Sequence, residues 1–394
     1  MATMTQIMET TKTPNTVIQA MIKEDPNIFV PTEEEIDAYC SQVYCPSSVM
    51  PHGVFALVEP MSWKIKALSQ NAKKLFEKDA TELLDTSLLE LFHDGSKIEE
   101  ALGNEDLALV NPVTLKVKKE GEALVNLILN RSVSGIIVDM EPCDAGERGI
   151  DFHQWTHQAI DRMRACDSLE GMRQQVCQDW HNMCGFDRVH VYQYHEDDHG
   201  EVITEVRKEH PKVPTALGLH YQASDTPRRT RQMLKEVYVR HVSDSGSSDK
   251  GIRMVRGLVF DREEIMSKSQ LRPPHPNHKE FLANQGVAAS ITLSLVVKNR
   301  LWGVVQGYHM QGKRFLPYRM RKAGECLVQA LANEISKQAD SAALRRSVRA
   351  TQLNAKLTHT MSKVGGGGND KLLSLLGGVP SLMDALPGVT GVCV

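Results

Sequence analysis

Hydrophobic residues in the first third of the chain come in short runs, broken every few positions by glycine, proline or charge. Val54–Val58 and Lys64–Leu68 read as strands, and Asn71–Phe76 and Asp85–Leu91 as short helices. Val113–Lys118, Leu124–Asn130 and Gly135–Met140 read as three strands closing an antiparallel sheet. Upstream, residues 1–28 are polar and aperiodic and read as a mobile tail. Phe29-Val30-Pro31 opens a more structured segment, with a short capped helix over Glu33–Ala38. Gly146 and Gly149 in Pro142–Ile150 mark a boundary.

From Phe152 the period lengthens. Trp155, Ile160, Met163, Leu169, Met172, Val176 and Trp180 are spaced as on helices, and Arg188–Tyr194 and Glu201–Val206 return to strand. Gly286–Val297 and Leu301–Tyr308 are strands joined by Lys298-Asn299-Arg300. Residues 243–270 show little periodicity before Val255–Phe260, which is long for an idle loop. Residues 318–363 form one long helix with Ala323, Leu327, Ala330, Leu331, Ile335 and Ala339 on one face. That length points to helix pairing or a signalling spine, and a terminal helix capping its own sheet is the plainer alternative. Gly365–Gly368 makes a flexible break, and KLLSLLGGVPSLMDALPGVTGVCV is expected to open a third domain that this chain does not complete. The expected fold is α+β: antiparallel-sheet domains over 29–143 and 151–317, the helix 318–363, then 369–394 as the start of another domain.

Composition narrows the function classes. A chain of 394 residues, 41% hydrophobic and 24% charged, is that of a soluble globular protein with room for two or three cores. The 46 basic and 49 acidic residues leave a net charge of −3, which makes no case for nucleic acid or a membrane surface as partner. No apolar run approaches bilayer length, and MATMTQIMETTKT lacks the apolar core of a secretory signal, so the cytoplasm is the expected location, with the nucleus as alternative. The eight Cys lack CxxC or zinc spacing and read as free thiols. There is no GxSxG, no phosphate loop and no paired acid in an apolar frame, so nothing here argues for an enzyme.

The candidate chemistry lies in Leu217–His241, LGLHYQASDTPRRTRQMLKEVYVRH. Ser224-Asp225 followed by Thr226-Pro227 is turn chemistry before a helix, with Met233, Leu234, Val237 and Tyr238 as its apolar stripe and Arg228, Arg229, Arg231 and Arg240 on its polar side. An Asp at a helix mouth beside arginines suits a ligand bearing N–H donors and carboxylates; a capped surface helix with a solvated basic face fits the same residues. His275 and His278 stand in a Pro-rich turn before another helix. No carboxylate or Cys stands at a helpful spacing for metal, and a structural histidine is the alternative for each. Cys40 and Cys45 flank Tyr44 in an irregular segment; most free thiols are inert packing, yet one held against an activated vinyl group adds to it.

Four blocks in order, SVMPHG at 48–53, LGLHYQASDTP at 217–227, LRPPHPNHKEFLANQGVAASITLS at 271–294 and LWGVVQGYH at 301–309, resemble the phytochrome photosensory module from about residue 30 onward. The resemblance implies a PAS domain, a GAF domain, a connecting helix and the start of a PHY domain, with the N-terminal segment threaded through a GAF lasso at 243–270. It implies a linear tetrapyrrole held by the GAF domain and red/far-red switching by photoisomerisation. It places Asp225 beside the pyrrole nitrogens and His278 in the water network of the rings. Arg240 and Arg272 fall on the propionate arginines, and Ser290 and Thr292 on propionate-side hydroxyls. Tyr192, Tyr221 and Phe281 line the rotating ring.

Three positions depart from the family pattern. Asn277 stands where the plant and cyanobacterial attachment Cys would be, which implies biliverdin attached through an upstream Cys. Cys40, with Cys45 as alternative, is near that place, although the strict match is Ala38. Tyr308 takes the place of the second pocket His, with His309 next to it. A homodimer through 318–363 is expected, and any output module, often a histidine kinase in the family, lies outside what these residues reveal. A chromophore-less scaffold and a GAF sensor for another acidic small molecule are the alternatives.

Overall fold

The computed structural model describes residues 46–119, 123–143, 151–210, 212–255, 258, 262–363 and 367–368. In chain order the strands are β1 (Ser48–Val49), β2 (Val54–Val58), β3 (Ile65–Ser69), β4 (Val113–Lys116), β5 (Leu124–Ser132), β6 (Gly135–Pro142), β7 (Arg188–Tyr194), β8 (Gly200–Arg207), β9 (His220–Tyr221), β10 (Val239–Val242), β11 (Lys250–Met254), β12 (Ala289–Val297) and β13 (Arg300–His309). The helices are α1 (Ala72–Phe76), α2 (Ala80–Leu83), α3 (Ser96–Leu102), α4 (Phe152–Arg164), α5 (Leu169–Cys184), α6 (Arg228–Glu236), α7 (Arg262–Lys268), α8 (Pro276–Asn284) and α9 (Tyr318–Lys363). The described residues group into two compact units.

The first unit takes the described residues up to 143 with Ala223–Val237 and Val242–Ala288. Its sheet runs β1-β11-β3-β2-β6-β5-β4. All five residues of β2 are buried. Alternation sends Val54, Ala56 and Val58 to one apolar cluster with Leu68, Phe92, Leu127 and Val138. Phe55 and Leu57 go to another with Val49, Ala67, Ile137, Ile265, Met266 and Leu271. Both faces of this sheet are therefore apolar, which is why β2 reads as a continuous hydrophobic run.

The 243–270 segment is where pattern and structure part most. It contributes β11, which pairs with β1 (Ser48↔Gly251) and β3 (Ile252↔Ser69), and then α7. Strand β11 sends only Ile252 and Met254 to the apolar cluster, beside Lys250, Gly251 and Arg253, so its side-chain period is too short to announce it. Asp139 on β6 anchors the far end, accepting from Ser269 Oγ at 2.8 Å and Gln270 N at 2.6 Å. The expected helix over Asp85–Leu91 is only a 3-10 turn at Leu88–Leu91; Asp85 takes a left-handed φ of 60°, and the helical residues nearby are those of α2, ahead of it. Helix α3 was not anticipated; only Ile98 and Ala101 are buried on it, too few to make a stripe.

In the second unit the sheet runs β10-β12-β13-β7-β8-β9. Helices α4, α5 and the first half of α9 cover one face, packing Trp180, Leu327, Val328, Leu331 and Ile335 on Val189, Val191, Ile291, Leu293, Leu295 and Val305. Gly324 lets the Trp180 indole lie against α9, since a Cβ there would sit 2.6 Å from the ring. This corrects the dimer stripe: Leu327, Leu331 and Ile335 are 0%, 0% and 4% exposed inside their own unit. Helices α4 and α5 widen the layer that α9 packs into, so those three residues are not left over for a second copy. Farther along α9, Leu344 and Val348 are exposed.

Among the described residues no helix is long and apolar enough to cross a membrane. The 1–28 tail, the Glu33–Ala38 helix, Cys40, Cys45, the threading of the N-terminal segment and 369–394 lie outside the described residues.

Candidate ligand-binding site

Strand alternation gives the second sheet a face of a different kind. Val189 and Val191 point into the helical layer, so Arg188, His190, Tyr192 and Tyr194 point the other way. The registers extend that face across three strands. Ser290, Tyr308 and Arg188 form one row, Thr292, Gln306 and His190 the next, and Ser294, Val304 and Tyr192 a third. The face is polar and aromatic, yet closed: Arg188, His190, Tyr192 and Tyr308 are 4%, 3%, 6% and 4% exposed.

Its side chains are mutually held. His190 Nε2 and the Tyr308 hydroxyl converge on Gln306 Oε1, at 3.0 and 3.3 Å. The His190 ring meets Tyr308 edge-on at 5.3 Å, and the Arg188 guanidinium lies 5.1 Å from the Tyr308 ring centroid. Arg188 also donates to Pro214 O at 3.0 Å. Tyr192 packs on Tyr194 at 5.1 Å and on Tyr221 of β9 at 5.8 Å. Gly200 makes this possible, because any Cβ there would fall 1.9 Å from the Tyr192 ring.

The electrostatics follow from burial. Loss of solvent, together with the Arg188 charge and against the Gln306 hydrogen bond, drives the His190 imidazole down to about 3, so it is neutral at physiological pH. Burial raises the Tyr308 phenol above its ordinary range and keeps it protonated. Among the described residues, His190 Nδ1, Arg188 Nε and Ser294 Oγ are buried without a hydrogen-bond partner. Such groups are rare in folded proteins, and each costs about 1–3 kcal/mol.

The remaining sequence candidates divide between the units. In the second, Arg240 lies on β10, next to β12 in the sheet. Its neighbour Val239 packs in the helical layer, so alternation puts Arg240 on the polar side. Burial lowers its guanidinium to about 10, still a cation at neutral pH. Its position corrects the reading that placed it on the Arg-rich helix, since α6 ends at Glu236. Ser290 is buried and Thr292 half-buried in the rows given above.

In the first unit, Arg272 is fully buried. His278 and Phe281 sit on α8 with stacked rings 5.9 Å apart. Asp225 is exposed in the turn before α6. Pro227 is the N-cap of α6 and not its first helical residue, and no side chain caps it. Arg231 laces the turn, donating to Ala223 O and to Thr226 O. Cys40 and Cys45 are outside the described residues. The free thiols of Cys177 and Cys184 are buried in the second core, and burial pushes Cys184 up to about 12, which makes both poor nucleophiles. Sequence reasoning missed Arg188, His190, Tyr194 and Gln306. The available signal was alternation, which ties 188, 190 and 194 to the face already assigned to Tyr192.

Comparison with known proteins divides the chain in sequence order, and its second match takes in Ala223–Val237 and Val242–Ala288, which group with the first compact unit. Residues 38–143 match the PAS fold model and residues 168–338 the GAF domain model. The chain is 31% identical to phytochrome E of Arabidopsis thaliana over 77% of its own length and 29% of the relative's. It is 27% identical to cyanobacterial phytochrome B of Nostoc sp. over 91% and 48%. Among solved structures, the chromophore-binding domain of a Stigmatella aurantiaca bacteriophytochrome is 26% identical, with a TM-score of 0.71, covering 75% of this chain and 99% of that one. The corresponding domain of an unusual bacteriophytochrome from R. palustris is 28% identical, with a TM-score of 0.68, covering 76% and 99%.

The chain belongs to the phytochrome photosensory modules. It spans about half the length of the Nostoc relative and less of the plant one. Within this phytochrome module, Asn277 is exposed on α8, and its backbone N–H donates to His275 Nδ1 at 3.3 Å. His309 does not stand in for the missing pocket imidazole. It turns to the opposite side of β13 from Tyr308, with Nδ1 2.9 Å from Asp187 Oδ2 and its ring stacked on Phe186. The imidazole that the polar face does hold is His190, one strand away from Tyr308.

Proposed function

We propose that this phytochrome module is a red/far-red photoreceptor that holds a bilin, biliverdin in particular, and signals by photoisomerisation. The observation that carries the reading is the buried polar face of the second sheet, where His190 Nδ1 and Arg188 Nε lack partners among the described residues. Groups of this kind fit a ligand with ring N–H groups and carbonyls, and flat aromatic walls such as Tyr192 and Tyr221 fit a conjugated ring system. Arg272 and Arg240 are the right chemistry for propionates, because a desolvated guanidinium makes strong two-pronged bonds to carboxylates. When bound, a bilin supplies red absorbance and a double bond whose light-driven rotation changes the shape met by the protein.

In this reading Tyr192, Tyr221 and Phe281 wall the moving ring. Tyr308 contributes a neutral hydroxyl and His190 a neutral imidazole. Asp225 and His278 serve the pyrrole nitrogens. Helix α9 carries the change away from the sheet, and the module performs no catalysis of its own. Attachment is assigned to Cys40 before Cys45, a choice supported by Asn277, which offers no thiol, and by the unreactive burial of Cys177 and Cys184.

Two experiments test the proposal. Each arginine bond to a carboxylate is worth about 1.5–3 kcal/mol, so Arg272→Ala and Arg240→Ala should each weaken bilin uptake about tenfold or more. Unchanged uptake in both variants would place the carboxylates elsewhere. Denaturing electrophoresis with zinc-stained bilin fluorescence should lose its band in Cys40→Ser. Loss only in Cys45→Ser reverses the assignment, and a band surviving in the double variant rejects both thiols.

A further inference from the structure

The exposed face of helix α4 carries a chemistry separate from the sheet. Asp151 caps this helix, accepting from Gln154 N at 2.9 Å. Thr156, Ala159 and Met163 face the core. On the other side, one turn apart, His153 and His157 are both exposed. Their Nε2 atoms lie 3.3 Å from each other, with ring centroids 4.5 Å apart and planes crossing at 60°. Helical i,i+4 spacing brings such a pair to one face.

That separation is a metal bite. With zinc–imidazole bonds of about 2.05 Å, two nitrogens 3.3 Å apart subtend about 107° at the ion, the angle of a tetrahedral site. A square-planar or octahedral ion would draw them to about 2.9 Å. We propose that His153 and His157 form a bidentate site for a divalent zinc-class cation, with the remaining coordination positions taken by water. Without metal, one ring N–H donates across the 3.3 Å gap, and this bond keeps the two rings together; a small turn of each aims both Nε2 atoms at a shared ion. On binding, the bridging proton moves through solvent to Nδ1 of the same ring. Both Nε2 lone pairs are then given to the metal, with no net proton released from neutral rings.

The exposed carboxylates of Asp151 and Asp161 offset the positive end of the helix near His153. Arg162 and Arg164 on the same helix are paired with Asp179 and Glu334. Asp161, one turn beyond His157 along the same line, is an exposed carboxylate.

The test is calorimetric titration of the full chain with zinc chloride, comparing wild type with His153→Ala and His157→Ala. Other histidines and thiols also take up zinc, so the difference between proteins is what is read. Either substitution should remove one equivalent or weaken it at least tenfold, because a single imidazole loses the chelate. Gln154→Ala on the same turn should change nothing. Both His positions are exposed and alanine favours helix, so folding is not at risk, and circular dichroism confirms it. Zinc uptake identical in wild type and both variants overturns the proposal.

Discussion

The two sheets bury their second faces in opposite ways. In the first unit both faces are apolar, and most of the buried polar groups are answered, Asn71 Oδ1 being an exception among the described residues. Asp139 is answered by Ser269 and Gln270, Asn126 accepts from Thr114, and Ser69 accepts from the Phe55 amide. In the second unit one face is apolar, and the other buries Arg188, His190 and Tyr308 while leaving Nε and Nδ1 unanswered. Selection for stability alone removes such groups, because an apolar replacement of similar shape is often neutral or better. The first sheet is therefore read as support, and the second as a support on one side and a binding surface on the other.

Substitutions should sort along that division. The largest loss is expected from Phe55→Ala, which opens a cavity in the fully buried second face of the first sheet and costs about 3–5 kcal/mol by urea unfolding. A loss below about 1 kcal/mol would mean that this face is loosely packed. Asp139→Ala should follow at about 2–3 kcal/mol, because Ser269 Oγ and Gln270 N lose their acceptor.

His190 gives a pH signature. Its folded value is about 3 against an ordinary 6.5, so below pH 6.5 the unfolded chain takes up a proton that the folded chain refuses. Stability should fall by about 1.4 kcal/mol per pH unit through that window, about 2 kcal/mol by pH 5. His190→Gln should flatten that part of the slope, and an unaltered pH profile would show that the imidazole is not held neutral. Tyr308→Phe is the smallest change, under about 1 kcal/mol, since Gln306 Oε1 keeps its His190 bond. A loss above 2 kcal/mol there would make the polar face structural and erase the contrast.

The parts of the fold that announce themselves in sequence are those with a side-chain period. Strand β2 is legible as an unbroken apolar run, and β7, β13 and the apolar stripe of α9 because burial imposes alternation or helical spacing. Strand β11 is not, because Ile252 and Met254 are a single step of alternation among Lys250, Gly251 and Arg253, and backbone pairing does the rest. The ownership of the α9 stripe was also hidden, since nothing in Leu327, Leu331 and Ile335 says whether α4 and α5 or a second copy will cover them. In the candidate site, Tyr192, Ser290, Thr292 and Tyr308 fell on one buried face. His190 escaped notice because a histidine in a strand carries no mark of burial until the partner strands are known.

The central claim is that the polar face of the second sheet serves a light-absorbing bilin. The most direct measurement is the absorption spectrum of the protein produced with a biliverdin source, recorded before and after red illumination. The account predicts a green or blue protein with a red band that changes on illumination and recovers in the dark or under far-red light. A colourless protein, or a band that light leaves unchanged, would contradict it.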